Sequence, residues 1–289
     1  MANILDGKAI AVTLKDEIKQ EVLEWQAKDI NPCLGVLLVG DDPASLAYAK
    51  FLEKVSSSVG VKFYLQHLPK DTDEDSVIAN LDEMNRNKDV HGILLLLPMP
   101  KHIDKQRVMD AILPAKDVDG VHPINRGYIL SGGQCIYPAT PLSCLEILKR
   151  SGISLAGKNV VIVGRGETVG KPLIYMTLAE NATVTVCHTG TADLKAHTKQ
   201  AEILFTAVGK PGLITADMVK PGVVVVDAGI SEVNGKICGD VDYDAVAEVA
   251  GAITPVPGGV GSITTAMMLK NLLKGLKMQQ AFSGLKMKK

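Results

Sequence analysis

Val160-Val-Ile-Val163 is a short apolar run that leads straight into Gly164-Arg-Gly-Glu-Thr-Val-Gly170, and Leu173, Met176 and Leu178 follow at helical spacing. Strand, glycine loop and helix in that order suit a dinucleotide. Glycine lets the chain turn tightly and brings backbone N–H groups, at the positive end of a helix, up to a pyrophosphate. The G-x-G-x-x-x-G spacing is one residue longer than the usual fingerprint, and a bare glycine triplet is also compatible with a plain turn. The strand and helix around it therefore carry the reading. The next expected strand ends at Cys187-His188-Thr189-Gly190-Thr191, with no Asp or Glu where a ribose 2′-hydroxyl would be held. Arg165, Thr189 and Thr191 suit a 2′-phosphate instead, which predicts NADP, with NAD as the alternative. His188 reads equally as a contact to the adenosine end or as a structural histidine. Cys33, Cys135, Cys144, Cys187 and Cys238 are odd in number and form no C-x-x-C pair, and the histidines show no ligand spacing. Neither a disulfide framework nor a metal site is expected.

These residues need a scaffold, and apolar runs alternating with helical stretches supply one. The spacing predicts helices over 8–28, 73–86 and 141–150, a helix after Pro43 and a short one after Asp104. Strands are predicted over 34–39, 61–66, 92–97, 159–163, 183–187, 203–206 and 223–227, with a final helix over 262–276. Such β-α-β alternation implies parallel sheets covered on both faces. Periodicity fades between Pro114 and Pro141, which reads as an interdomain region, and the tail after Lys277, ending Lys286-Met-Lys-Lys289, reads as a frayed terminus.

Composition limits the partners. At 289 residues the chain exceeds one ordinary core and suggests about two domains. With 31 Lys+Arg against 32 Asp+Glu it carries no charge footprint for nucleic acid or an anionic membrane, so anions must be held by local groups. Aromatics at 4% offer few stacking platforms for single strands. The longest apolar run, from Ile93 to Leu97, stops at Pro98, far short of a membrane span, and no signal-peptide pattern opens the chain. A reducing cytoplasm is the expected compartment.

Several segments lie in an order that resembles the methylenetetrahydrofolate dehydrogenase/cyclohydrolase family along nearly the whole chain. They are Val39-Gly-Asp-Asp-Pro-Ala-Ser45 with Tyr48, Lys116-Asp-Val-Asp-Gly120, Pro138-x-Thr-Pro141, the Gly164 loop, Asp227-x-Gly-Ile230, Gly239-Asp-Val241 and Thr254-Pro-Val-Pro-Gly-Gly-Val-Gly261. The resemblance implies an α/β fold of two domains with a cleft between them. An N-terminal three-layer α/β catalytic domain would span 1–138 and a C-terminal Rossmann-type parallel-sheet domain 139–262, with the helix 263–289 packing back on the first. It implies a homodimer, and a 5,10-methylenetetrahydrofolate substrate whose hydride passes to the nicotinamide. It assigns Asp119 to grip the pterin, although a turn aspartate is the plain alternative. Tyr48 would orient the folate, although a core aromatic with its hydroxyl at the edge is an even alternative. Ser45, Leu95, Leu96, Leu97, Pro257, Gly258 and Gly259 would line the substrate site. Gly164, Arg165, Gly166, Gly170, Thr189, Ile230 and Thr264 would meet the cofactor.

The chain departs from that family at two positions. Members usually carry a lysine four residues after the tyrosine and a glutamine inside the strand, where this chain has Leu52 and Leu96. Lys50 and Lys54 do not replace the lysine, because they sit about 200° and 240° round a helix from Tyr48 while Leu52 sits about 40° away. Both missing groups would serve proton transfer in the second family activity, hydrolysis of the methenyl product. The expectation is therefore a dehydrogenase with cyclohydrolase activity lost or very weak. The alternatives are an ordinary bifunctional enzyme and a folate- or nucleotide-binding paralogue without chemistry. Ala139, Gly166 and Ser262 are smaller departures at the usual cysteine, serine and proline.

Overall fold

The computed structural model describes residues 2–286, with side chains as far as residue 281. The chain divides into two compact units, one of residues 14–139 with 268 onward, the other of residues 1–13 with 140–267. The sequence-based division at 138/139 put the first 13 residues in the other unit. They belong with the nucleotide-type sheet because a two-residue strand, β1 (Asn3–Ile4), pairs with a late strand, a contact too short to leave a periodic signal. The tail expected to fray after Lys277 is helical as far as Lys286, and residues 287–289 lie outside the described residues.

The 14–139 unit receives most of α1 (Gly7–Gln26) and continues with β2 (Cys33–Val39), α2 (Pro43–Ser58), β3 (Lys62–Leu68), α3 (Glu74–Arg86), β4 (Gly92–Leu95), α4 (Lys105–Asp110) and α5 (Pro123–Ser131). The three strands form a parallel sheet in the order β3-β2-β4. The central β2 is buried along its length, as its unbroken apolar run demands. On one face Leu37, Val39 and Ile93 pack against Val77, Leu81 and Met84 of α3 and Val108 of α4. On the other face Gly92 leaves room for Leu272, since a Cβ there would stand 2.3 Å from Val118 and 3.1 Å from Leu272.

Two expectations change here. The strand expected over 92–97 ends at Leu95, although the Leu96 N–H still donates to the Leu37 carbonyl of β2 at 2.9 Å, so Leu97 is the residue that lies past the ladder. The segment that looked irregular between Pro114 and Pro141 contains α5, nine residues capped by the His122 ring at its start and by left-handed Gly132 at its end. A histidine cap and so short a helix give little periodic signal.

In the second unit α6 (Ala139–Arg150) leads into β5 (Asn159–Val163), α7 (Gly170–Ala179), β6 (Thr183–Cys187), α8 (Leu194–Thr198), β7 (Ile203–Thr206), β8 (Val224–Asp227), the hairpin β9 (Ser231–Val233) and β10 (Lys236–Cys238), α9 (Tyr243–Ala247) and β11 (Ala252–Ile253). The sheet is wholly parallel in the order β1-β11-β8-β7-β5-β6. Its centre is Val161, Val163, Leu204, Val225 and Ile253. The chain runs outward from β5 to β6 and then returns to β7 on the other side of β5. That reversal opens a crevice at the carboxyl ends of β5 and β7, where doubly wound sheets bind ligands. The last helix, α10 (Thr264–Lys286), is longer than the expected 262–276 and starts two residues later. Among the described residues no helix is long and apolar enough to cross a membrane.

Candidate functional site

The glycine loop lies at the reversal point. Gly164 follows β5 with φ +119°, and a Cβ on it would stand 2.5 Å from the carbonyl oxygen of Ala207, which follows β7. A Cβ on Gly170 would stand 2.4 Å from the Gly164 carbonyl oxygen, so the first turn of α7 closes directly on the loop. Both positions therefore require glycine. Gly166 is different, because nothing lies within 4 Å of where its Cβ would be, and its backbone is open to approach. Two obligatory glycines below and an open backbone above form the kind of cradle a pyrophosphate needs, so the loop fits a dinucleotide.

Arg165 and Thr189 are both exposed and follow the paired ends of β5 and β6, where Val163 stands opposite Cys187. The turn carrying Thr189 is held from within. The Thr191 hydroxyl accepts from the His188 N–H at 2.9 Å, and the His188 ring accepts from the Gly190 N–H at 3.0 Å. This leaves His188 a structural part of the turn.

A pocket of about 360 Å³ gathers five more predicted residues, Ile230, Pro257, Gly258, Gly259 and Thr264, together with Thr140 and Asp227. Its lining includes none of Gly164, Arg165 or Thr189. Gly259 is fixed by close packing, since a Cβ on Gly7 at the start of α1 would stand 2.0 Å from its carbonyl oxygen. Ile230 is 64% exposed, an apolar side chain offered outward, and the Thr264 hydroxyl donates to the Gly261 carbonyl at 3.0 Å.

Behind this pocket the motifs at 227–230 and 239–241 interlock. The Asp227 carboxylate accepts from the Gly229 N–H at 2.8 Å and the Val241 N–H at 3.0 Å. The Asp240 carboxylate accepts from the Thr206 hydroxyl at 2.8 Å and from the N–H groups of Val208 and Lys210, each at 2.7 Å. Each carboxyl fills the space a Cβ would need on the other motif's glycine, Asp240 on Gly229 and Asp227 on Gly239. Burial, helped by the Asp240 charge, raises the Asp227 pKa to about 6 against the pull of its backbone donors. Burial, then the Asp227 charge, pushes the Cys144 thiol up as well. Sequence reasoning quoted both motifs and gave neither aspartate a part. The signal available was two Asp–Gly pairs in reversed order.

The other unit holds Tyr48, Leu52, Leu96 and Asp119. Asp42 caps α2 by accepting from the Ser45 N–H and hydroxyl, both at 2.8 Å, and the same hydroxyl lies 3.3 Å from the Leu97 carbonyl oxygen. Ser45 thus spends its polar atoms tying α2 to the end of β4. Tyr48, one turn on, is 42% exposed with its ring near that of Phe51, whereas Leu52 is 0% and Leu96 3% exposed. Leu95 is half-buried and Leu97 is exposed. The two leucines at the polar positions are therefore core residues.

The Lys116–Gly120 segment runs beside β4 through an Ile93–Asp117 bridge. Lys116 is buried with its ammonium donating to the carbonyls of Met84, Asn85 and Asn87, which closes the end of α3, and burial lowers its pKa to about 8. It is not a substitute for the missing lysine. Asp117 accepts from the Val121 and His122 N–H groups and the Asn125 amide. Asp119 is the acid of the segment left for chemistry. Although the residue is part-exposed, burial of its carboxyl and the Asp117 charge raise its pKa to about 7, against the Arg126 charge. Among the described residues no group of three or more His, Cys, Asp or Glu is arranged to hold a metal ion.

Residues 5–119 match the model of the tetrahydrofolate dehydrogenase/cyclohydrolase catalytic domain, and residues 138–280 that of the NAD(P)-binding domain of the same family. A relative from Desulforamulus reducens, named bifunctional protein FolD, is 62% identical over 96% of this chain and 98% of its own. The crystal structure of the bifunctional FolD dehydrogenase/cyclohydrolase from Campylobacter jejuni is similar with a TM-score of 0.94, at 43% identity over 96% of this chain and 100% of that one. The Trypanosoma brucei FolD enzyme, solved with NADP and an inhibitor, gives a TM-score of 0.89 at 33% identity over 96% of this chain and 98% of that one.

Proposed function

The chain belongs to the tetrahydrofolate dehydrogenase/cyclohydrolase family, and on that premise we propose that it oxidises 5,10-methylenetetrahydrofolate to the methenyl form with NADP. The observation that carries the reading is the strand, glycine cradle and helix at the sheet's reversal point, with Arg165 and Thr189 at its rim. When bound, NADP supplies a hydride acceptor. Lone pairs on the two folate nitrogens expel the hydride and leave an amidinium, so the chain needs no strong base and its work is placement. Gly164, Gly166 and Gly170 present backbone to the pyrophosphate, Arg165 and Thr189 hold the 2′-phosphate, and Ile230 and Thr264 border the nicotinamide end. The Asp119 carboxylate accepts from the pterin's adjacent N–H donors, Tyr48 orients the folate, and Pro257, Gly258 and Gly259 offer a fixed backbone for close approach.

For hydrolysis of the methenyl product, two observations point in opposite directions. Leu52 and Leu96 are buried and apolar where proton transfer would need polar groups, which supports a cyclohydrolase that is lost or very weak. The bifunctional name of the 62% identical relative favours retention, with another group or water completing the step. Purified protein given methenyltetrahydrofolate separates them. Decay at the spontaneous rate fits the leucine reading, and a rate well above it fits the bifunctional one. The same preparation, given methylenetetrahydrofolate, is expected to show a higher kcat/KM with NADP than with NAD. Sedimentation equilibrium is expected to give the mass of a homodimer.

A further inference from the structure

We propose that Asp227 and Asp240 form a positioning clamp that fixes the backbone from Ala228 to Ile230 against the nicotinamide end of the cofactor, and that the clamp holds only while Asp227 is ionised. The proposal rests on the reading of the second unit as an NADP site.

The geometry is reciprocal. Asp227 stands at the end of β8 and Asp240 just after β10, so neither loop can move without disturbing the other's carboxylate. Between them the two acids take five donors: the N–H groups of Gly229, Val241, Val208 and Lys210 and the Thr206 hydroxyl. The Thr254 hydroxyl accepts the Asp227 N–H at 2.8 Å and brings the segment leading to Pro257 into the same network. Asp227, Ala228, Gly229 and Ile230 all line the pocket of about 360 Å³, so a shift of this backbone is a shift of the pocket wall.

The chemistry makes the clamp sensitive to a proton. Asp227 is 2% and Asp240 0% exposed. The titratable groups that face Asp227 are the Asp240 carboxyl, from the loop after β10, and the Cys144 thiol of α6. A carboxylate accepts at both oxygens, whereas a protonated acid turns one of them into a donor. That oxygen then accepts much more weakly from the Gly229 or Val241 N–H, which loosens the loop it holds. The pKa of about 6 puts this change within reach of mild acid. A cofactor that fits only the ionised clamp then binds with an affinity reduced by the ionised fraction, about tenfold at pH 5 relative to pH 7.5.

The test is calorimetric binding of NADP and of NAD to the full chain from pH 7.5 to pH 5, in wild type and in Asp227→Asn. NAD is included because the 2′-phosphate of NADP itself titrates near pH 6. The expected result is that wild type loses about tenfold in NAD affinity with a midpoint near pH 6. Asp227→Asn, whose amide carries a permanent donor, binds at pH 7.5 at least as weakly as wild type does at pH 5 and changes little with pH. Asp240→Asn removes the repelling charge and moves the wild-type midpoint to lower pH, which a purely structural role would not do. A flat NAD affinity in wild type, or the same pH step in Asp227→Asn, overturns the clamp, and the wild-type arm decides even if the variants fail to fold. Wild type that binds neither dinucleotide at pH 7.5 contradicts the cofactor reading itself and the clamp with it.

Discussion

At Leu52 and Leu96, both buried and apolar, the sequence resemblance expects a lysine and a glutamine. Restoring polar groups there, as Leu52→Lys with Leu96→Gln, is expected to raise methenyl hydrolysis about tenfold or more, measured by decay of the methenyl absorbance. The same substitutions should lower Tm, since an ammonium enters a position that is 0% exposed. Asp119 carries the opposite compromise. Its carboxylate is proposed to hold the pterin, so Asp119→Ala is expected to reduce kcat/KM for the folate roughly a hundredfold or more, through two lost charge-assisted hydrogen bonds. With a folded pKa of about 7, the carboxylate form declines below neutrality, and kcat/KM should fall as pH drops through 7. Stability moves the other way. The folded state keeps a proton between about pH 4 and 7 that the unfolded chain has released, so Asp119 destabilises the fold increasingly as pH rises through that window. Asp119→Asn should therefore melt higher than wild type at pH 8 while losing activity, and thermal melts at pH 4 and 8 check the sign. Asp119 and the leucines were visible in sequence only through the family's pattern. The interlocked Asp227 and Asp240 were present in that pattern but mute, because their meaning depends on which strand ends meet.

At the scale of elements, the nucleotide cradle is the part most legible in sequence. An apolar strand, glycines and a helix follow one another within about a dozen residues, and β5, β6 and β7 form where their apolar runs fall. The glycines, however, are not equivalent, and spacing alone does not rank them. Gly170→Ala drives a Cβ into the Gly164 carbonyl and should lower Tm, whereas Gly166→Ala meets no protein atom and should leave Tm unchanged while crowding the pyrophosphate. Thermal melts of the two variants separate them, and equal losses of Tm would contradict the packing of the cradle. Elements that sequence periodicity missed are short or capped unusually. The two-residue β1 is below the length at which a period can be counted, and α5 starts on a histidine cap inside a Gly/Pro-rich stretch that hides it.

At the scale of the whole molecule, two α/β units were readable from alternation and length, but the path of the chain between them was not. Residues 1–13 join the sheet of the 140–267 unit through the β1–β11 pairing, and residues from 268 onward join the first unit, where the Asn271 amide donates to the Val118 and Tyr137 carbonyls and the Gln279 amide to those of His91 and Ala115. The near balance of charge, 31 basic against 32 acidic residues, now has a local explanation: backbone cradles and Arg165 are the proposed anion holders rather than a basic surface. The proposed reaction is hydride transfer from methylenetetrahydrofolate to NADP, and the fate of the methenyl product is the point on which Leu52 and Leu96 and the bifunctional relative disagree. One progress curve tests it most directly, following NADPH and methenyltetrahydrofolate together in a single reaction with purified protein. NADPH is expected to appear with methenyltetrahydrofolate formed in step with it, and loss of the methenyl form at its spontaneous rate fits the leucine reading while faster loss fits the bifunctional one. No NADPH would contradict the dehydrogenase, and methenyl vanishing well ahead of its spontaneous decay would contradict the consequence drawn from Leu52 and Leu96.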